Sequence, residues 1–145
     1  MPKSKIFLPD VNVWLALISR RHVHAELCGA WLSSLSESSE LLFCRVSQMG
    51  LLRLLTTEAV MQEDVLSSRS AWGAYHSVLE DDRIQFAPEP FMLDEEWREL
   101  SSFDRPAPKV WTDAYLTAFA RAGGMRLVTM DRAVAANARE SLLLK

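Results

Sequence analysis

Short apolar runs alternate along this chain with longer stretches of mixed polarity. The runs are three to four residues long, and each is bounded by polar residues or proline, as is typical of short buried strands. The predicted strands are Ile6–Leu8, Leu41–Cys44, Ile84–Phe86, Arg126–Thr129 and an edge strand at Leu142–Leu144. Strands that alternate with helices indicate a mainly parallel sheet covered on both faces. The pattern therefore predicts an α/β fold.

The stretches between the strands carry apolar side chains every three to four residues, which is the spacing of a helix with one buried face. The predicted helices are Val11–Ile18, His24–Ser36, Val46 or Ser47 to Leu55, Glu63–Glu80, Leu93–Leu100, Trp111–Ala122 and a short helix after Ala133. Ser47 is a candidate N-cap, because a serine hydroxyl accepts hydrogen bonds from the first helical turn. Met49, Trp72 and Trp111 are expected to face the core.

The segment WTDAYLTAFARAGGMRLVTMDR, residues 111–132, combines a helix, a glycine turn and a strand. Gly123-Gly124 is expected to end the helix, because glycine readily adopts the left-handed conformation of a C-cap. Asp113 lies in the first turn of the helix, and Asp131 follows the strand. Ligands of open α/β sheets bind outside the carboxyl ends of the strands, so both carboxylates are expected at one crevice.

Length and composition indicate an ordinary globular protein with a single domain over residues 1–145. The 145 residues are 49% hydrophobic and 24% charged, which is enough to bury a core without disulfides or metals. Cys28 and Cys44 lack metal-ligand spacing and are expected to be buried thiols. The net charge of −3 does not favour a nucleic-acid partner, but it leaves room for an acidic metal site beside arginines. No run is long enough for a membrane span, and the N-terminal run is too short for a signal peptide, so a cytoplasmic location is expected.

Three aspartates fall at equivalent places in the predicted topology: Asp10 after the first strand, Asp113 at a helix start and Asp131 after a late strand. Each alone is explained by a helix cap or a surface position, and a cap is the better explanation of Asp10 by itself. Together they would repel one another unless a cation held them. Mg²⁺ or Mn²⁺ prefers such oxygen ligands, and it can activate water for attack on a phosphodiester. The candidate residues for orienting the carboxylates and the metal-bound waters are Asn12, Ser47, Thr112 and Thr129.

Three sequence segments carry a resemblance to a known family. LPDVNVWLAL near the start, CRVSQMGLLRLLT in the middle, and WTDAYLTAFA followed by LVTMDR resemble the PIN domains of the VapC toxin type, in the family's order and over nearly the whole chain. The resemblance implies a three-layer α/β/α sandwich and a Mg²⁺-dependent endoribonuclease that is the toxin of a type II toxin–antitoxin pair. It also implies a small antitoxin partner, RNA as the substrate and a homodimer.

By this resemblance, Asp10, Asp113 and Asp131 match metal-binding and catalytic acids of the family, and Asn12, Ser47 and Thr129 match polar positions beside them. The family's fourth acid, a glutamate early in the helix after the second strand, is missing, because Gly50 stands in its place. The nearest substitutes are Gln48, which is neutral, and Glu58, which is expected two turns further along that helix. Candidate contacts to the RNA are Arg45, Arg53 and Arg132.

Other functions fit the residues less well. A phosphatase of the haloacid dehalogenase type needs an acid two residues after its first aspartate, and Asn12 stands there. A receiver-like signalling domain needs an acidic pair at the first strand and a late lysine, whereas Asp10 is single and residue 132 is arginine. The serious alternative is a PIN domain with impaired catalysis that binds RNA or an antitoxin, and Gly50 favours it. Solvated surface is the expected role of the acidic residues in the sixth helix, Asp94, Glu95, Glu96 and Glu99.

Overall fold

The computed structural model describes residues 5–145; residues 1–4, which belong to the segment used in the signal-peptide argument, lie outside it. The strands are β1 (Ile6–Pro9), β2 (Glu40–Phe43), β3 (Ile84–Phe86), β4 (Arg126–Thr129) and β5 (Leu142–Leu143). The helices are α1 (Val11–Ile18), α2 (Ala25–Ser34), α3 (Arg45–Leu55), α4 (Glu58–Met61), α5 (Ser68–Val78), α6 (Leu93–Ser101), α7 (Val110–Gly123) and α8 (Arg132–Asn137), with a 3₁₀ turn at Gln62–Asp64.

The five strands form one parallel sheet in the order β3-β2-β1-β4-β5. The chain moves from β1 outward to β2 and β3, and it then returns to the other side of β1 for β4 and β5. This reversal of direction between β1 and β4 leaves a crevice at their carboxyl ends, where open α/β sheets bind ligands. The predicted α/β fold and edge strand are confirmed.

Alternate residues of each strand enter two separate cores, one on each face of the sheet. Phe7, Leu41 and Val128 pack on one face, together with Trp14 and Leu51 from the helices there. The other face takes the adjacent strand residues, Leu8, Leu42 and Leu127, which pack on Tyr115 and Phe119 of α7. Because side chains alternate across a strand, a strand buried on both faces is apolar throughout. Helices therefore cover both faces, which confirms the three-layer α/β/α sandwich.

The predicted helix at Glu63–Glu80 is wrong at its start. The helix begins at Ser68, because the Ser67 hydroxyl caps it by accepting from the backbone N–H of Ser70 at 3.1 Å. The preceding segment is extended and is tied to α3, where the Leu66 N–H donates to the Leu55 carbonyl at 2.9 Å. Helix α3 itself ends at Leu55, so Glu58 lies on the separate helix α4 and not two turns further along α3.

Several predicted cap and core positions also differ from the structure. Cys44, not Ser47, is the N-cap of α3, and Ser47 is the third helical residue, whose hydroxyl accepts from the Cys44 backbone N–H at 3.0 Å. The side chains of Met49, Trp72 and Trp111 are 55%, 45% and 54% exposed, so the prediction that they face the core is wrong. Helical spacing shows which residues share one face of a helix. It does not show how much of that face is covered by neighbouring elements.

Cys28 and Cys44 are free and buried, as predicted. Burial, followed by the nearby charge of Asp10, raises the pKa of the Cys28 thiol to about 11, so this thiol is protonated at neutral pH. Between residues 5 and 145, no helix combines the length and the apolar character that crossing a bilayer requires.

Candidate functional site

The first and last predicted acids lie at the point where the order of the sheet reverses. Asp10 directly follows β1, and its backbone N–H donates to the Val128 carbonyl of β4 at 2.9 Å. Asp131 follows β4 after one intervening residue. The pairing of Pro9 with Val128 places Asp10 level with Thr129. Two carboxylates therefore meet at the crevice because two adjacent parallel strands end there.

Thr129 joins these two acids. Its hydroxyl donates to Oδ2 of Asp10 at 2.5 Å and accepts from the backbone N–H of Asp131 at 3.0 Å. The Thr129 side chain is fully buried, so water does not compete for either hydrogen bond. The sequence singled out Thr129 as a residue that orients the carboxylates, and the structure gives it the contacts which that role needs.

Both acids are also helix N-caps. Oδ1 of Asp10 accepts from the Val13 N–H at 3.1 Å, so the cap expected from the sequence is present. Oδ1 of Asp131 accepts from the N–H groups of Ala133 and Val134 at 2.8 and 3.3 Å. These caps fix the orientation of each carboxylate, and the helix N-termini favour its negative charge. Capping and a functional role are therefore compatible at both positions.

Asp113 approaches from the first turn of α7. It shares with Asp131 a cavity of about 430 Å³ that lies between α6, α7 and α8. Other residues lining it are Glu99, Leu100, Phe103, Val110, Ala114, Thr117, Ala133, Val134 and Asn137. Three acidic residues, Asp113, Asp131 and Glu99, thus line the cavity together with mostly apolar residues.

The acids affect one another electrostatically. Burial raises the pKa of Asp10, and the charges of Asp113 and Asp131 add to that rise, whereas hydrogen bonds from Thr129 and Val13 oppose it. Burial also raises the pKa of Asp113, again with a contribution from Asp131. None of the three forms an ion pair within residues 5–145. The acid cluster therefore carries negative charge that no side chain described here neutralises.

The donor set suits a hard divalent cation, although the side chains do not surround one point. Among residues 5–145, no three His, Cys, Asp or Glu side chains lie close enough together to enclose an ion. Mg²⁺ commonly keeps several waters and binds proteins through only one or two carboxylates. Asp113 and Asp131, which line the same cavity, fit that mode, and the metal assignment stays a prediction.

Three of the predicted orienting residues lie elsewhere. Asn12 is exposed and lines a different cavity, beside Arg21 and Met61. Thr112 is exposed and is not among the residues that line the acid cavity. The hydroxyl of Ser47 is buried and, within residues 5–145, its hydrogen-bond partners all belong to Cys44. Asn12 and Thr112 stand close to an acid in sequence but do not reach its carboxylate, because a helix turns each successive side chain by about 100°. Ser47 is instead held within the first turn of α3.

The three candidate arginines differ in how firmly they are held. Arg132 is exposed at the first position of α8, next to Asp131. Arg53 is exposed near the end of α3 and lines a small cavity with Trp72. Arg45 begins α3, where Nη1 donates to Oε1 of Gln48 at 2.6 Å. Of the three, only Arg45 has a fixed guanidinium within the described chain.

Gly50 of α3 lies against Val11 of α1. A Cβ added to Gly50 would lie 2.7 Å from Cγ2 of Val11 and 3.2 Å from its Cγ1. Val11 therefore fills the space that a side chain at position 50 would enter first. Helix propensity favours replacing Gly50 with glutamate or another side chain, but the contact with Val11 opposes the stabilisation that this would give.

Sequence reasoning missed Glu99 as a residue of the acid cavity, since it treated the acidic face of α6 as solvated surface. Glu99 directly precedes Leu100 and stands four residues before Phe103, and all three line the cavity together with residues of α7. The available signal was the pair of apolar residues among these acids, Trp97 and Leu100. Their three-residue spacing indicates that one side of α6 is buried, and Glu99 adjoins that side.

A model of the PIN domain family matches residues 7–140 of this chain. Ribonuclease VapC41 of Mycobacterium tuberculosis is 46% identical over 132 residues, which cover 88% of this chain and 90% of that protein. Two solved structures share the fold. VapC20 of Mycobacterium tuberculosis, described as a Sarcin-Ricin loop cleaving toxin, has a TM-score of 0.64 at 16% identity and covers 90% of this chain and 93% of its own. VapBC2 from Rickettsia felis, bound to a DNA fragment from its promoter, has a TM-score of 0.67 at 13% identity. The match covers 95% of this chain and 96% of that one. The extent of the family match and the identity to VapC41 establish that this chain belongs to the VapC family of PIN-domain proteins.

Proposed function

We propose that this protein is a metal-dependent endoribonuclease and the toxin of a type II toxin–antitoxin pair. The observation that carries the proposal is the cluster of Asp10, Asp113 and Asp131, which gathers at the reversal of the sheet with no cationic partner among the residues described. The similarity to Ribonuclease VapC41 supports the same reaction class. Action on cellular RNA implies a cytoplasmic location.

Mg²⁺, with Mn²⁺ as a substitute, would be held by Asp113 and Asp131 of the acid cavity. Asp10, whose pKa both of these acids affect, would be the third acid of the metal site. A divalent ion there supplies positive charge that activates water and stabilises the phosphoryl transition state. Oδ2 of Asp131 and the Asp113 carboxylate accept no hydrogen bond from residues 5–145, so they remain available. Thr129 and the two helix N-termini hold Asp10 and Asp131 in place, which lowers the cost of reorganising them during the reaction.

The test is RNA cleavage by the purified protein with added Mg²⁺ or Mn²⁺, and again in EDTA. Cleavage is expected only with the metal, leaving a 5′-phosphate and a 3′-hydroxyl as the resemblance implies. Undiminished cleavage in EDTA would contradict the metal mechanism. A parallel titration with Ca²⁺ reports whether the charge alone suffices, because Ca²⁺ shares the oxygen ligands but has looser geometry.

An antitoxin is the proposed protein partner, since solved structures with this fold include the VapBC2 and VapBC-1 complexes. A homodimer is the proposed assembly, as two-fold pairs are the commonest closed oligomers. Expression of the chain alone is expected to slow growth, and co-expression of the small protein from the neighbouring reading frame is expected to restore it. Normal growth at high expression, with no complex formed, would remove support for the toxin assignment.

A PIN domain that binds RNA without cutting it is the second candidate, and the contact between Gly50 and Val11 favours it. Glycine at position 50 supplies no carboxylate where the family has its fourth acid, and Val11 lies against the place where a side chain would begin, so less negative charge is present to hold an ion. Binding of RNA with no cleavage at saturating Mn²⁺ would favour this candidate over the first.

A further inference from the structure

Arg45 is held in place by uncharged partners. Nη1 of Arg45 donates to Oε1 of Gln48 at 2.6 Å, and its Cζ lies 4.6 Å from the centroid of the Phe86 ring. Gln48 is itself 6% exposed and is hydrogen-bonded to Tyr75, a bond that opposes the rise which burial causes in the pKa of that phenol. The guanidinium is thus fixed by a buried amide and an aromatic face, and the rest of the residue is exposed.

The charge of Arg45 is not neutralised. Three other arginines form ion pairs with carboxylates: Arg21 with Glu63 and Asp64, Arg83 with Asp81, and Arg98 with Asp94. Within residues 5–145, Arg45 forms none. Only one of its N–H donors is used by Gln48, and a guanidinium has five. A rigid cation with free donors and a full charge is suited to a phosphate, which accepts the remaining N–H groups.

Arg45 lies on the same edge of the sheet as the acids. The pairing of Phe7 with Leu41 places Asp10 level with Cys44, and Arg45 comes next. Phe86, under the guanidinium, ends β3, which is two strands from β1. With about 4.8 Å between strands, the guanidinium is on the order of 10 Å to one side of Asp10. A strand of RNA across this edge would bring a neighbouring phosphate, not the scissile one, to Arg45.

We propose that Arg45 binds a backbone phosphate of the RNA next to the scissile one, and that Gln48 is a positioning residue that holds the guanidinium there. The proposal rests on the proposed function for the identity of the anion. It also separates Arg45 from Arg53, which lies about 12 Å further along α3 at 1.5 Å per residue, away from the edge where β2 ends.

The test measures the salt dependence of binding to a fluorescein-labelled single-stranded RNA of about 12 nucleotides, in EDTA so that the RNA stays intact. Each phosphate contact adds about 0.7 to the slope of log affinity against log salt. Arg45→Ala is expected to lower the slope by that amount and the affinity by about tenfold at low salt. Arg121→Ala is the control, because it removes the same charge from an exposed position near the far end of α7.

Gln48→Glu tests the positioning role, since a carboxylate at this place would pair with Arg45 and neutralise it. The salt slope is expected to fall as in Arg45→Ala, and the double variant is expected to lose no more than either single one. Gln62→Glu, at an exposed position on the 3₁₀ turn, controls for added negative charge. Circular dichroism confirms that each variant is folded, and a purely structural role for Gln48 would change stability without changing the slope.

Three results would overturn the proposal. If wild type binds and cuts RNA but Arg45→Ala has the slope of Arg121→Ala, Arg45 does not contact a phosphate and the proposed function stands. If wild type neither binds nor cuts RNA, both fail. If Arg45→Ala leaves the slope intact but changes the sedimentation of the protein, this surface belongs to a contact between chains.

Discussion

The carboxyl edge of the sheet has two halves with opposite chemistry. The half around β1 and β4 carries Asp10 and Asp131, and each of these aspartates follows its strand and caps the next helix. The half around β2 and β3 has the same architecture, because Cys44 caps α3 after β2. Its charged side chain, however, is Arg45, held by Gln48 and Phe86.

The two halves differ in what stabilises their charges. In the acidic half, burial and mutual repulsion raise the pKa of Asp10, so the ionised site is strained without a cation. In the basic half, the guanidinium is held in place by uncharged groups, Gln48 and the Phe86 ring, although most of its N–H donors are free within residues 5–145. The halves meet where Val11 packs on Gly50. The position at which the family has its fourth acid therefore lies, in this chain, at a packed boundary between the acidic half and the basic half.

The largest expected effect is at Asp113, the carboxylate that α7 contributes to the acidic half. Asp113→Asn keeps the size of the side chain and removes a charge, and loss of one electrostatic stabiliser typically costs about 10²-fold or more in rate. The measurement is the cleavage rate at saturating Mn²⁺. Asp94→Asn is the matched control on α6, where an exposed pair with Arg98 is broken and little change is expected. A loss of less than about threefold in Asp113→Asn would show that the chemistry does not depend on the acidic half.

Thr129→Val tests the bridge between the two acids. The variant keeps the shape of the buried side chain but loses both hydrogen bonds, and residues that orient metal ligands typically contribute about 10–100-fold to metal affinity. Because the Thr129 hydrogen bond lowers the pKa of Asp10, its loss raises that pKa and moves the acid limb of the pH–rate profile to higher pH. Calorimetry with Mn²⁺ and the pH profile are the measurements. Thr129→Ser, which keeps the hydroxyl, should resemble wild type in both.

The acidic half was largely predictable from the sequence. Asp10, Thr129 and Asp131 follow short apolar strands, and adjacent parallel strands bring their ends together whatever the details of packing. The apolar stripe of α7 placed Asp113 at the same edge. These predictions rest on strand ends and on helical period, which are local properties of the chain.

The basic half was predictable only in outline. The sequence named Arg45 but gave no reason to prefer it to Arg53, because the contacts that fix it come from the neighbouring strand β3 and from a buried amide. The packing of Val11 against Gly50 joins two helices that are far apart in sequence, and no local pattern reports it. Asn12 and Thr112 were assigned to the site because each stands close to an acid in sequence. These assignments were wrong, because neighbouring residues of a helix point in different directions.

Gly50→Ala probes the boundary between the halves. Helix propensity alone predicts that alanine stabilises by up to about 1 kcal/mol, but the contact with Val11 predicts the opposite sign, a loss of about 1–3 kcal/mol from overpacking. Urea unfolding distinguishes the two. Gly73→Ala, on α5 with no atom within 4 Å of the added Cβ, is the control and should stabilise. Val11→Ala combined with Gly50→Ala should recover much of the loss, because the two residues are in direct contact.

The smallest expected effect is the pH dependence of stability at Asp10. Since the pKa of Asp10 in the folded chain is raised above its ordinary value of 3.8, the folded state binds this proton more tightly than the unfolded state does. The free energy of unfolding therefore falls as the pH rises from 3.8 through the raised pKa, and it stays lowered above it. Asp10→Asn removes this titration but can still cap α1. In EDTA, its Tm is expected to exceed that of wild type near pH ~7, and the difference should vanish as the pH falls below 3.8. Asp82→Asn, at an exposed position before β3, is the control. A Tm for Asp10→Asn that is equal to or below wild type at neutral pH would mean that the caps and Thr129 already compensate the buried charge, and that the acidic half is no more strained than the basic one.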